Sequence, residues 1–143
     1  MMISSLKNDQ RFPCKDFEEA NRVRRYEVTL TSTQVKALDT WTSVLTGVED
    51  QALVLHAMVL TKEAGTSYEG EYAIEVRYTD DSGDKLTADV PSTVLNSASK
   101  TWYYAPGVAV APVAGAAIGL IATDAPTAGN VGLKVELIYR IVQ

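Results

Sequence analysis

From Arg25 onward, apolar and polar side chains change places every second residue over long parts of the chain. Tyr26, Val28 and Leu30 alternate with Glu27, Thr29 and Thr31. Tyr72, Ile74, Val76 and Tyr78 alternate with Glu71, Glu75, Arg77 and Thr79. Near the end, Leu133, Val135, Leu137, Tyr139 and Ile141 alternate with Lys134, Glu136, Ile138, Arg140 and Val142. Neighbouring side chains of a strand point to opposite faces, so this period predicts half-buried strands. The run Gln51–Thr61 is nearly all apolar. Its β-branched residues, and the turn signals at Gly47 and Gly65, predict a strand covered on both faces.

Further strands are expected over Thr42–Val48, Thr101–Tyr104 and Ala116–Thr123. Lys85–Val90 is expected to return as the hairpin partner of Glu71–Thr79, across the turn Asp80–Asp84. Thr31–Gln34 reads as a cap before a helical turn at Gln34–Leu38, and Pro91–Leu95 as a second short turn. Asp124–Asn130 reads as a loop. About eight strands with almost no helix predict an all-β body built from two sheets. The first choice is a jelly-roll-like β-sandwich with an extended N-terminal arm, and the second an ordinary Greek-key sandwich.

Residues 1–25 lack this alternation and divide the chain into an arm (1–25) and a sandwich domain (26–143). The arm's only bulky anchors are Phe12, Pro13 and Phe17, and Asp16–Val23 is expected to form a helical turn or two. Charge divides at the same place. The chain of 143 residues has a formal net charge of −5. Its first 25 residues hold more basic than acidic groups, and the remainder is strongly acidic. A negative body argues against nucleic-acid binding, and a positive arm suits an acidic protein neighbour. Arg22, Arg24 and Arg25 are therefore expected to contact protein carboxylates through arginine's planar fork.

The residues for chemistry are sparse. One cysteine, Cys14, forbids an internal disulfide, and with one histidine, His56, the chain cannot build a zinc site. His56 sits inside the apolar run with no nucleophile or acid at a useful spacing, so it reads as a tolerated strand residue with its ring paired locally. Asp80–Asp84 has oxygen ligands but lacks the twelve-residue calcium-loop spacing, and reads as an acidic turn. No phosphate-cradling glycine motif occurs. No catalytic residue, cofactor or metal is expected, and the chain does not read as an enzyme. The start of the chain shows no signal-peptide core. The longest apolar stretch, Val108–Ala122, is broken by Pro112, Gly115 and Gly119 and is too short for a membrane helix. The expectation is a soluble protein made in the cytoplasm, with no membrane partner. Trp102, Tyr103 and Tyr104 stand in a row, and a strand cannot turn all three to the core. At least one is expected at the surface, as a protein contact.

Several segments carry a resemblance. These are Val28–Leu38, Gly65–Tyr68, Ile74–Tyr78 and the ending Gly129–Val142. Together they resemble the capsid decoration, or cement, proteins of tailed bacteriophages. The likeness spans roughly residues 26–143, is one of strand patterns and turns, and leaves out the arm. It implies a virion protein on the outer face of a phage head that stabilises contacts between capsomers. The implied partners are the major capsid protein and further copies of itself, as dimer or trimer. The contact residues expected on this reading are Phe12, Phe17, Arg22, Arg24 and Arg25 of the arm and Trp102, Tyr103 and Tyr104 of the aromatic strand. The alternative is a head-fibre, tail or carbohydrate-binding β-sandwich module.

Overall fold

The computed structural model describes residues 22–143. Ten strands form in chain order. They are β1 (Arg24–Leu30), β2 (Thr42–Leu45), β3 (Ala52–Lys62), β4 (Tyr68–Glu69), β5 (Ala73–Tyr78), β6 (Val90–Pro91), β7 (Thr101–Pro106), β8 (Ile118–Ala122), β9 (Thr127–Ala128) and β10 (Leu133–Val142). Eight of them build two four-stranded antiparallel sheets, in the orders β1-β10-β3-β7 and β2-β8-β5-β6, and β4 with β9 makes a small ribbon. The chain crosses repeatedly between the two sheets, and its first and last strands lie side by side. Eight strands interleaved this way over two sheets are the jelly-roll sandwich the alternation predicted.

The core lies where the inner faces of the two sheets meet. Met58, Leu60, Leu133, Val135 and Leu137 of the first sheet and Ile74, Val76, Ile118, Leu120 and Val90 of the second are all fully buried. Ile74, Val76 and Tyr78 of β5, and Tyr72 just before it, do face inward, as their period of two requires. Each aliphatic side chain so buried is worth about 1.5–3 kcal/mol relative to exposure.

In β3 the strict period fails, for a local reason. Ala57 pairs with Ile138 and Leu55 with Tyr139, so His56 is an extra residue opposite one peptide step of β10. This β-bulge changes the spacing of the inward side chains: Leu53 and Leu55 lie before it, Met58 and Leu60 after it. His56 would share a face with Met58 in a regular strand; the bulge turns it to solvent instead. Its ring has no hydrogen-bond partner among the described residues, which corrects the local pairing expected for it.

Three further expectations are corrected. The short helix α1 is Ser32–Val35, two residues earlier than the spacing suggested. Thr31 caps it in a capping box with Gln34: Thr31 Oγ1 accepts from the Gln34 N–H at 3.2 Å, and Gln34 Oε1 accepts from the Thr31 N–H at 2.8 Å. Lys85–Val90 does not return as a full hairpin strand. After an isolated bridge between Arg77 and Lys85, only Val90–Pro91 pairs with β5, because the segment between turns away to bridge Thr87 with Gly107, and the Val108 N–H donates to the Leu86 carbonyl at 2.9 Å. Within the expected loop Asp124–Asn130, Thr127 and Ala128 pair with β4.

Candidate docking surface

The outer face of the first sheet carries the described groups best suited to an interaction. β7 is an edge strand and pairs only with β3. Alternation turns Tyr103 and Ala105 toward the sandwich interior and Trp102 and Tyr104 outward. Trp102 is 65% exposed and Tyr104 50%, the largest uncovered aromatic area among the described residues. Their rings stand 6.4 Å apart between centroids and lie within 19° of parallel. Residues 101–106 hold no charged side chain. Natural proteins usually blunt a free sheet edge with charges, so a bare aromatic edge is a surface prepared for a partner.

Across the same face, β1 and β10 hold a compensated charge cluster. The register sets Glu27 directly opposite Glu136, a repulsive pair on its own. Arg25 and Lys134 neutralise it. Arg25 Nε donates to Glu136 Oε2 at 2.8 Å, Arg25 Nη2 reaches the same oxygen, and Lys134 Nζ stands 3.4 Å from Glu27 Oε2. The hydrogen bond that Arg25 donates to Glu136, and then the carboxylate's charge, raise the Arg25 pKa above its ordinary value. The net result is a flat face of two cations and two anions beside an aromatic strip, neutral overall although the body is acidic.

The structure thus divides the contact residues expected from the sequence. Trp102 and Tyr104 come together at the surface, while Tyr103 points inward and is half-buried. Arg25 lies on the same face but on the opposite edge strand, three strand spacings or about 14 Å away. Arg22 is exposed and Arg24 half-buried at the start of β1. Phe12 and Phe17 lie outside the described residues, as do Cys14 and the expected helical turns of the arm.

Chemistry is sparse among the described residues. No group of three or more His, Cys, Asp or Glu side chains is placed to hold a metal ion. In the acidic turn, Asp80 Oδ1 accepts from the N–H and the hydroxyl of Ser82, which holds its carboxyl below the usual range. No described helix is long and apolar enough to cross a membrane.

Two features escaped the sequence reading. Lys62, at the end of β3, is fully buried; its ammonium donates to the carbonyls of Glu63 and Ser99, each at 3.0 Å. The signal was present, since Lys62 follows Met58 and Leu60 on the inward face, but lysine is seldom assigned there. The second is a partly open cavity of about 290 Å³, lined by Val54 and Leu55 of β3, Tyr78, Leu86, Arg140 and the segment 108–112. It is assembled from residues far apart in sequence and leaves no local signature.

No protein-family model and no curated protein sequence matches the chain. Among solved structures it is similar to a chain of the cyanophage Pam1 capsid asymmetric unit, with a TM-score of 0.51, 15% identity and 83% of each chain covered. A chain from the structure of infectious bursal disease virus, Gx strain, aligns with 86% of this chain and 33% of its own length. Its TM-score is 0.38 and its identity 10%, too distant to carry an argument. At 15% identity the first likeness is one of fold: this chain shares its all-β sandwich with a chain of a virus capsid structure.

Proposed function

We propose that the protein is a structural component of a virus particle, a decoration or cement protein that binds the outside of a phage head. It would bridge neighbouring capsomers, with the major capsid protein and further copies of itself, as dimer or trimer, for partners. Residues 1–25 act as a docking arm and 26–143 as the rigid body. The observation that carries this reading is the uncovered Trp102–Tyr104 pair on an uncharged sheet edge. It belongs to a body whose described residues include no metal-ligating cluster. The fold shared with a capsid chain agrees with it. A clamp acts by mass action: whatever binds only the assembled shell stabilises that state. It needs a rigid body and adhesive surfaces, and no pocket.

The test is co-sedimentation with phage heads assembled from the major capsid protein of the same virus. Wild-type protein is expected to pellet with the heads and to raise their melting temperature. The double variant Trp102→Ala/Tyr104→Ala is expected to bind at least tenfold more weakly, the loss of a central aromatic contact. Wild-type protein that stays in the supernatant refutes the proposal. The Trp102–Tyr104 pair also favours one second reading, because near-parallel exposed rings can stack on sugar rings. Glycan-array binding lost in Trp102→Ala, together with failure to bind heads, would select the carbohydrate-binding module.

A further inference from the structure

We infer that the open edge of β7 pairs with the same edge of a second copy of this chain, antiparallel about a two-fold axis at Tyr103, so that two four-stranded sheets join into one. The inference deepens the reading above by naming the surface through which copies associate. Monomeric protein that still binds heads would refute it and leave that reading standing.

The ladder of β7 fixes which of its backbone groups are free. In an antiparallel pair, hydrogen-bonded residues alternate along each strand. The Gly107 N–H donates to the His56 carbonyl at 2.7 Å, in phase with the pairs Ala105–Met58, Tyr103–Leu60 and Thr101–Lys62. The backbone groups of Trp102, Tyr104 and Pro106 therefore turn away from β3. Pro106 agrees, since a strand admits proline where no ladder needs its N–H. Beyond Pro106 the outer side is taken: Thr87 bridges Gly107, and the Val108 N–H donates to the Leu86 carbonyl at 2.9 Å. From Trp102 to Tyr104 no backbone hydrogen bond reaches the outer side among the described residues.

A second copy fits this stretch. Pairing centred on Tyr103 sets Trp102 opposite the partner's Tyr104, and Tyr104 opposite the partner's Trp102, each pair exchanging two backbone hydrogen bonds. A register shifted toward Pro106 would set Trp102 against a nitrogen that carries no hydrogen. The two near-parallel rings of each copy would then form one row of four on the outer face, with favourable aromatic pairs across the joint. Charge agrees. Residues 101–106 hold no charged side chain, so two chains of net charge −5 meet at a neutral seam. The opposite edge strand, β1, carries Arg24, Arg25 and Glu27, the usual guard of a free edge. Area sets the strength. Four rings of about 150–250 Å² each, half to two-thirds uncovered, offer roughly 500 Å², short of the roughly 1,200 Å² of a standard interface. The pair is therefore weak in dilute solution, with a dissociation constant on the order of 10–100 µM, and fills where a shell holds copies side by side.

The test is sedimentation equilibrium of the full chain up to about 500 µM, where a monomer–dimer equilibrium is expected. Tyr104→Ala and Tyr104→Pro both remove the ring, but only the proline removes the outward N–H. Tyr104→Pro is expected to dimerise roughly tenfold more weakly than Tyr104→Ala, the loss of one hydrogen bond from each copy, with the far-ultraviolet circular dichroism unchanged. A charge pair tests the register without proline. Trp102→Lys/Tyr104→Lys sets lysine against lysine across the axis and is expected to stay monomeric. Trp102→Lys/Tyr104→Glu sets lysine against glutamate twice and is expected to dimerise roughly tenfold more tightly than the double lysine at low salt, the difference shrinking at high salt. Wild-type protein that stays monomeric, a trimer, or charge variants that associate alike would each overturn the inference, as would a folded Tyr104→Pro that dimerises as well as Tyr104→Ala.

Discussion

Trp41 lies across Gly119 of β8, so close that a β-carbon on the glycine would stand 2.4 Å from the indole Cε2 and Cζ2 and 2.5 Å from the Thr42 carbonyl oxygen. The glycine lets the indole close over the outer face of the second sheet. Gly119→Ala is expected to destabilise the protein by about 1–3 kcal/mol through overpacking, read as a lower urea midpoint with an unchanged slope. Trp41→Leu should relieve part of that cost, giving a double-mutant coupling above about 0.5 kcal/mol. Simple additivity would show that the backbone contact alone sets the penalty.

Lys62 gives the protein a pH dependence in the alkaline range. Burial lowers its pKa below the ordinary 10.5. In the window between the folded value and 10.5 the unfolded chain binds more protons, so stability from this group rises with pH and falls as pH drops through that window. Lys62→Met keeps the side-chain length and removes the titration. Its stability against urea is expected to show a smaller gain between neutral pH and 10 than wild type, with parallel curves counting against the assignment.

Tyr72 acts in the opposite sense. Burial, and then the neighbouring Tyr68, push its phenol up to about 12 from 10.0, and its hydroxyl donates to Asn96 Oδ1 at 2.7 Å. A raised folded pKa contributes stability that is complete below 10 and is lost as pH rises toward 12. Tyr72→Phe is expected to cost about 1 kcal/mol at neutral pH, the lost hydrogen bond, and to shift alkaline unfolding to higher pH. Spectrophotometric titration of the phenols at 295 nm, beside circular dichroism, separates ionisation from unfolding.

The bulge at His56 can be tested by replacing the residue and by removing it. The ring is exposed and unpaired among the described residues, so His56→Ala should change stability by no more than about 0.5 kcal/mol. Deleting His56 would leave Leu55 opposite Tyr139 and Ala57 opposite Ile138 as neighbours, a regular ladder that keeps Leu53, Leu55, Met58 and Leu60 inward, and would remove the carbonyl that accepts from the Gly107 N–H at 2.7 Å. The deletion is expected to keep a cooperative thermal transition and to lower stability by about 1 kcal/mol, the lost hydrogen bond. A deletion variant with no cooperative transition would mean that the bulge itself is required for the sandwich to close.

Trp102→Ala and Tyr104→Ala should each leave the melting temperature within a few degrees of wild type, because both side chains are at least half exposed in the folded body. A large loss of stability in either would assign the aromatic pair to packing instead of docking.

The candidate surface was half legible before any coordinates. A row of three aromatics in a strand must expose at least one, since neighbouring side chains take opposite faces; that argument required an exposed ring without saying which. Which two turn outward follows from β7 pairing with β3, where Tyr103 stands beside the buried Leu60. The placement of Arg25 across the same face, with its partner Glu136 111 residues away, had no local signal.

Alternation along the chain by itself determined the class of fold and the inward faces of β1, β5 and β10, because a period of two on a pleated backbone leaves only one face to bury. Composition, with one histidine and one cysteine, determined the sparseness of reactive groups. The tertiary structure alone decided the sheet order, the bulge that reverses the facing of β3, the burial of Lys62, the closure of Trp41 over Gly119 and the cavity beside Arg140. Each of these depends on contacts between segments far apart in sequence, whose relative placement is set by packing the two sheets together and not by any neighbouring residue.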